Sequence, residues 1–150
     1  MILHSLVFVF PWIAFSILAD KRRIKQLFIS GTFASLIALF VNLIEDTYNW
    51  WKFPKELNPH TDVTFFADIG LYPVQAMLLI QHLPKNRRLW VFYVLGLALF
   101  NTLGEYTLIN LGEEIYLNGW NIYWTFVSYF VPFGLVCIHS IFYSSTTMQQ

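Results

Sequence analysis

The chain has 150 residues, enough for one domain, and its formal net charge is zero. Charged residues make up 12% and hydrophobic residues 57%. A soluble domain carries roughly 25% charged residues, so this composition excludes a globule covered by a water-facing surface. A single cysteine, Cys137, excludes an intrachain disulfide, and the chain has no CxxC or paired Cys/His metal motif.

A run of about 20 apolar residues is needed to cross the hydrocarbon core as a helix. Five such runs are legible in chain order. The first covers about 2–19 and ends in Asp20, Lys21, Arg22, Arg23 and Lys25. No basic residue precedes it, so a retained helix is expected here, not a cleaved signal peptide. The second covers about 27–44. The stretch 45–62 follows, with Pro54, Pro59 and several aromatics, and reads as an outer interfacial loop. The third run covers about 63–83 and ends in "PKNRR". The fourth, about 89–111, ends in "GEE", and the fifth covers about 122–143 before a polar tail. Pro11, Pro73 and Pro132 fall inside these runs and predict kinks, because neighbouring helices can satisfy the backbone groups that proline frees. Aromatics reach 19%, and Trp50, Trp51, Trp120 and Trp124 read as belt residues at the membrane–water interface. Asn118 to Asn121 reads as a turn opening the fifth helix. The expected fold is all-α: a polytopic membrane protein with one domain over 1–150 and five transmembrane helices in a single bundle.

Seven of the nine basic residues sit in two short loops, 21–25 and 85–88. With five spans these loops share one side, and the positive-inside rule places that side in the cytoplasm. The N-terminus is then outside and the C-terminus cytoplasmic. The acids are placed differently. Glu45, Asp46, Glu56, Asp62, Glu113 and Glu114 lie at or beyond the outer ends of spans, whereas Asp68 and Glu105 lie inside them. At about 1.5 Å rise per residue, both of the latter sit roughly 8–9 Å below the outer face. An ionisable residue at that depth faces the bundle interior or a wet cavity and needs partners.

Residues three, four and seven apart share a helix face. Four polar lines follow from that spacing: Ser35, Asn42 and Asp46; Asp68, Tyr72 and Gln75; Asn101 and Glu105; and Asn121, Thr125, Ser128 and Pro132. Such lines turn inward in a bilayer. In one reading they are only interhelical hydrogen bonds, with Glu105 bonded to Asn121 or Asp68, at roughly 0.6–2 kcal/mol each. In the other they line a site. His60, Asp68, Tyr72, Asn101, Glu105, Trp120 and Asn121 are its candidate ligand-binding residues. Asp68 and Glu105 are the candidate acid–base pair, and His60, Asp68 and Glu105 the candidate metal ligands, with no HxxxH or HExxH spacing to enforce a metal. His60 reads equally as a polar residue of a turn and cap, and His82 and His139 as residues near the inner surface.

"FPKELNPHTD", Asp68, Pro73, "LPKNRR", Glu105, "LNGWNIYW" and His139 occur in that order. This ordered set resembles a family of small five-helix integral membrane proteins of Bacillus, Clostridium and related spore-forming Firmicutes, known only by a locus label. The family pattern has Asn-His-Thr before helix three, an Asp in that helix and a Glu in helix four. In helix five it has Gly-Trp-Asn followed by Trp and Ser. Here Pro59 interrupts the first element, while Gly119, Trp120, Asn121, Trp124 and Ser128 keep the last. The resemblance covers the chain after about Trp50. It implies the membrane topology and a bacterial cell membrane or spore inner membrane, and picks out His60, Asp68, Glu105, Trp120 and Asn121. It implies no reaction.

Three functions from different classes are therefore expected. The first is a non-enzymatic membrane protein whose polar outer-half pocket binds a small ligand, cation, lipid headgroup or partner protein. The second is a membrane-embedded enzyme acting on a lipid or isoprenoid through Asp68 and Glu105. The third is a scaffold, with sporulation as one setting. The partners are the lipid bilayer and either further copies of the chain or a membrane partner protein, with no nucleic acid. The cofactor is unassigned. An independent transporter is disfavoured, since five helices supply no internal repeat.

Overall fold

The computed structural model describes residues 2–53 and 63–147. The chain is helical throughout its apolar runs. Helix α1 covers Ile2–Leu18, α2 Ile24–Tyr48, α3 Val63–Ile69, α4 Leu71–His82, α5 Trp90–Asn110 and α6 Ile122–Thr147. α3 and α4 are the two arms of one apolar run, so five helical rods form the bundle. Four of them are long and apolar enough to cross a membrane: Lys21–Glu45, Val63–His82, Arg87–Asn110 and Ile122–Tyr143. The first is shorter. Phe10, Ile17, Phe40, Leu43, Phe92, Phe100 and Phe142 are each more than 60% exposed. So many large apolar side chains on the outside of one chain call for an apolar surrounding.

The third rod is the centre. Of Val63–His82, 56% is buried, against 17–28% of the other three long rods. α1 leans on both arms of it, α2 packs along α4, and α6 packs on α2 and α5. The dry core lies in the half of the bundle away from Glu105, around Leu27, Met77, Ile80, Val94, Val136 and Cys137.

The break in the central rod falls at Gly70, and its cause is local. Pro73 has no N–H, so the carbonyl of Ile69, four residues earlier, loses its helical partner. The indole of Trp12 in α1 donates to that carbonyl at 3.1 Å instead. The Ser35 hydroxyl in α2 donates to the carbonyl of Asp68 at 2.7 Å. Gly70 itself lets α1 come close. A Cβ at this position would lie 2.5 Å from the Val7 carbonyl oxygen and 2.6 Å from the Phe8 Cα, both backbone atoms. α1 and α6 run through Pro11 and Pro132 without interruption.

The two ends of the bundle differ. At one end the basic turns Lys21–Arg23 and Arg87–Leu89 are built alike, each opened by an Asx side chain, Asp20 or Asn86, that accepts from the backbone N–H two residues on. They share this end: the Asp20 N–H donates to Gln81 Oε1 at 2.8 Å, and Gln81 donates to the Leu18 carbonyl at 2.9 Å. At the other end two short strands, β1 (Trp51–Lys52) and β2 (Ile115–Tyr116), pair antiparallel. α2 ends in a left-handed cap at Asn49. Leu117 to Trp120 form a tight turn with Asn118 at φ 48° and Gly119 at φ 83°, closed by the Trp120 N–H on the Leu117 carbonyl at 2.9 Å. Two successive positive φ values are what an Asn-Gly pair adopts most readily.

Candidate functional site

α5 passes its one acid, Glu105, to the side of α6, and the chain then folds back so that β2 crosses the ends of both helices. Three hydroxyls converge on Glu105 in consequence. Its Oε1 lies 2.8 Å from the Tyr116 hydroxyl and 2.9 Å from the Thr125 hydroxyl, which are 2.6 Å from each other. Two hydroxyl protons serve these three contacts. The Trp120 indole adds a third donor, to Thr125 Oγ1 at 2.9 Å. Glu105 Oε2 accepts from Tyr129 at 2.7 Å. Tyr129 has then spent its proton, so the Tyr72 hydroxyl, 3.2 Å away, donates to it. A relay of hydroxyls thus joins the central rod to Glu105 by way of α6.

Glu114 is 2% exposed and lines the same cavity as Glu105. Burial and the negative charges of Glu105 and Glu45 push the Glu114 carboxyl up from 4.5 to about 9, so Glu114 keeps its proton at neutral pH. Burial likewise raises the Tyr116 phenol well above its ordinary value, with Glu105 adding to the effect, which keeps Tyr116 a donor. Asp68 forms a second node on the central rod. It is 1% exposed, and Asn42 of α2 donates to its Oδ2 at 2.6 Å. Gln75, farther down the rod, donates to Asn101 Oδ1 at 3.0 Å, and Asn101 donates in turn to the Leu97 carbonyl.

Both nodes open on one cavity of about 310 Å³. That is the lower end of the range for small-molecule sites, about 300–1,000 Å³. Asn42, Asp68, Tyr72, Asn101, Glu105, Glu114, Ser128 and Tyr129 supply its polar wall. Ala34, Ala38, Val41, Leu71, Phe133 and Val136 supply the apolar one. Trp51 from β1 lines it at the ribbon end. Above it the indoles stack: Trp50 on Trp120 at 4.6 Å and Trp51 against Trp120 at 4.9 Å.

Of the residues singled out from the sequence, Asp68, Tyr72, Asn101 and Glu105 line this cavity together. Trp120 sits in the ribbon-end aromatic cluster and reaches the site through its bond to Thr125. Asn121 does not join them. It is exposed, and its Oδ1 caps α6 by accepting from the N–H groups of Tyr123 at 3.0 Å and Trp124 at 3.4 Å. The partners of Glu105 are therefore hydroxyls and Glu114, and neither Asn121 nor Asp68. His60 lies outside the described residues. Among the described residues no three His, Cys, Asp or Glu side chains cluster as metal ligands. His139 is half-buried with its ring stacked on Phe33 at 4.2 Å, among the core residues. Sequence reasoning missed Glu114 and Tyr116. The signal that would have found them is period two: residues two apart in an extended segment face the same way.

No family model, no curated protein and no solved structure matches this chain.

Proposed function

We propose that this is a membrane protein that binds a small molecule, without transforming it, in the polar cavity at the ribbon end of its bundle. All five helical rods cross the bilayer in this reading. The basic turns face the cytoplasm, the ribbon faces out, the N-terminus is outside and the C-terminus inside. The family of small membrane proteins in spore-forming Firmicutes is its proposed kin, and a bacterial cell or spore membrane its proposed place.

One observation carries the reading. Three acids, the buried Asp68 and Glu114 and the half-buried Glu105, line a space of about 310 Å³ that the packing leaves unfilled. A bundle held together only by interhelical hydrogen bonds gains nothing from that space, since an empty cavity forfeits dispersion contacts. The enzyme reading is less well supported. Both carboxylate oxygens of Glu105 already accept from hydroxyls, and Asp68 Oδ2 accepts from Asn42.

The test is native mass spectrometry of the gently solubilised protein beside its Glu105→Gln variant. The expected result is a bound small molecule on the wild type that is lost from the variant. A bare wild type with a spectrum identical to the variant's overturns the proposal and leaves the structural role.

A further inference from the structure

Among the described residues the wall of the cavity is incomplete at one place. Gly104 on α5 lines the cavity and is also exposed, and a Cβ built on it meets no atom within 4 Å. Its neighbour one turn back, Phe100, lines the same cavity and is 66% exposed. The cavity therefore reaches the lipid-facing side of the bundle at the depth of Glu105. At the ribbon end stand the stacked indoles, the two-stranded ribbon, and Asn118, which donates to the carbonyls of Tyr48 and Asn49 at 2.9 and 3.0 Å.

The lining is also one-sided in charge. Three acids, Asp68, Glu105 and Glu114, line the cavity, and no lysine, arginine or histidine is among its described lining residues. Aromatic faces stand among these acids: Trp51, Tyr72, Phe100 and Tyr129. Acids together with aromatic faces suit an ammonium group, which gains from both the carboxylates and the ring quadrupoles. The rest of the wall is apolar and suits a hydrocarbon chain.

We infer that the occupant is a cationic amphiphile, an ammonium headgroup on an alkyl or acyl chain, and that it enters sideways from the bilayer past Gly104. The inference rests on the binding function proposed above and names the ligand class and the route. The headgroup lodges among Asp68, Glu105 and Tyr129 in the polar wall. The chain runs out past Phe100 and Gly104 towards lipid. An ammonium group attached to a membrane lipid and one on a free long-chain amine share this chemistry.

The test uses the full chain in a neutral maltoside detergent, with adducts counted by native mass spectrometry. The probes are dodecyltrimethylammonium, tetramethylammonium and dodecyl sulfate. The wild type is expected to hold dodecyltrimethylammonium at concentrations where the other two leave no adduct. Gly104→Met puts a side chain into open space and improves helix propensity. It is expected to weaken that binding by about tenfold or more, about 1.4 kcal/mol or more. Gly104→Ala, which adds one methyl, keeps binding. A chain-length series on the wild type (butyl, octyl and dodecyl ammonium) needs no variant and should tighten with length. Tetramethylammonium binding as tightly as the long-chain probe, or unchanged binding in Gly104→Met, overturns the lateral route. Equal binding of dodecyl sulfate overturns the cationic headgroup. A wild type that purifies with a different ligand sinks this inference and leaves the binding function standing. A wild type that purifies bare and takes none of the probes sinks both.

Discussion

Glu105 shows what a half-buried acid in an apolar helix needs. Three hydroxyls and a protonated carboxyl surround it, from three parts of the chain: Tyr116 from the ribbon, Thr125 and Tyr129 from α6, and Glu114 from the turn after α5. Glu105→Leu leaves those donors facing an apolar side chain. An unmet buried donor costs about 1–3 kcal/mol, so the variant should lose roughly that much stability or more, read as a lower midpoint in thermal unfolding of the solubilised protein. Glu105→Gln keeps an acceptor and should lose less. An equal midpoint for wild type and Glu105→Leu would show that the hydroxyls find other partners. Glu114 predicts a pH dependence. Its folded-state pKa, about 9, lies above the ordinary 4.5, so between those values the folded chain holds a proton that the unfolded chain has lost. Folding stability therefore falls as pH rises through that window. Melting followed from pH 5 to pH 9 should show the decline, and Glu114→Gln, which cannot ionise, should flatten it. A parallel slope in both proteins would place the titration elsewhere. Glu105 was legible in the sequence as an acid at the wrong depth. Its partners were not, because Glu114 and Tyr116 reach it only after the chain reverses at the end of α5, and helical spacing says nothing about such a return.

At the scale of elements, the apolar runs mark the helices well, and what they miss is continuity. Pro73 draws attention to the third run, yet the interruption lies at Gly70 and depends on α1. The carbonyls that a proline-disturbed helix leaves open need donors from outside, and Trp12 and Ser35 provide them. Glycine at the break allows the backbone of α1 to approach. Gly70→Ala should therefore push α1 away, because its Cβ would stand 2.5 Å from one backbone atom and 2.6 Å from another. Overpacking of this kind costs about 1–3 kcal/mol. The expected readout is a lowered melting midpoint together with faster proteolysis at the α1–α2 turn. If Gly70→Ala melts like the wild type, α1 is held loosely and the fit at Gly70 is not what seats it. Neither Gly70 nor Trp12 carries a sequence signal for this contact: one is a glycine in an apolar run, the other an aromatic in another. Their meeting is tertiary. The polar lines, by contrast, were legible from spacing alone. Ser35 and Asn42 of one line both reach Asp68, and Thr125, Ser128 and Pro132 of another reach Glu105 or the cavity. Asn121 belongs to that line by spacing and leaves it by position, since at the first turn of a helix a side-chain oxygen has unmet backbone N–H groups to bind.

The whole molecule is polar along its long axis. One end carries Lys21, Arg22, Arg23, Lys85, Arg87 and Arg88 on two turns, the first of them bonded to Gln81 of α4. The other carries the ribbon, the stacked indoles and Glu114. This division was visible in the sequence as a count of basic residues. The bundle adds that Gln81, at the end of α4 that leads into the second basic turn, is bonded to Leu18 and Asp20 beside the first, so both turns stand at one end. In a bacterial membrane, short loops rich in lysine and arginine stay in the cytoplasm. The proposed orientation rests on that rule, and single cysteines test it. The native Cys137 is only 4% exposed and is first replaced by alanine to remove background. Lys85→Cys stands at an exposed position of one basic turn, and Leu111→Cys at a position 65% exposed just past α5, at the ribbon end. In intact cells a membrane-impermeant maleimide should label Leu111→Cys and leave Lys85→Cys untouched until the membrane is permeabilised. The reverse pattern would put the ribbon and its cavity on the cytoplasmic side. Labelling of both from outside would mean that α5, the one helix between the two positions, does not cross, and that four spans carry the fold.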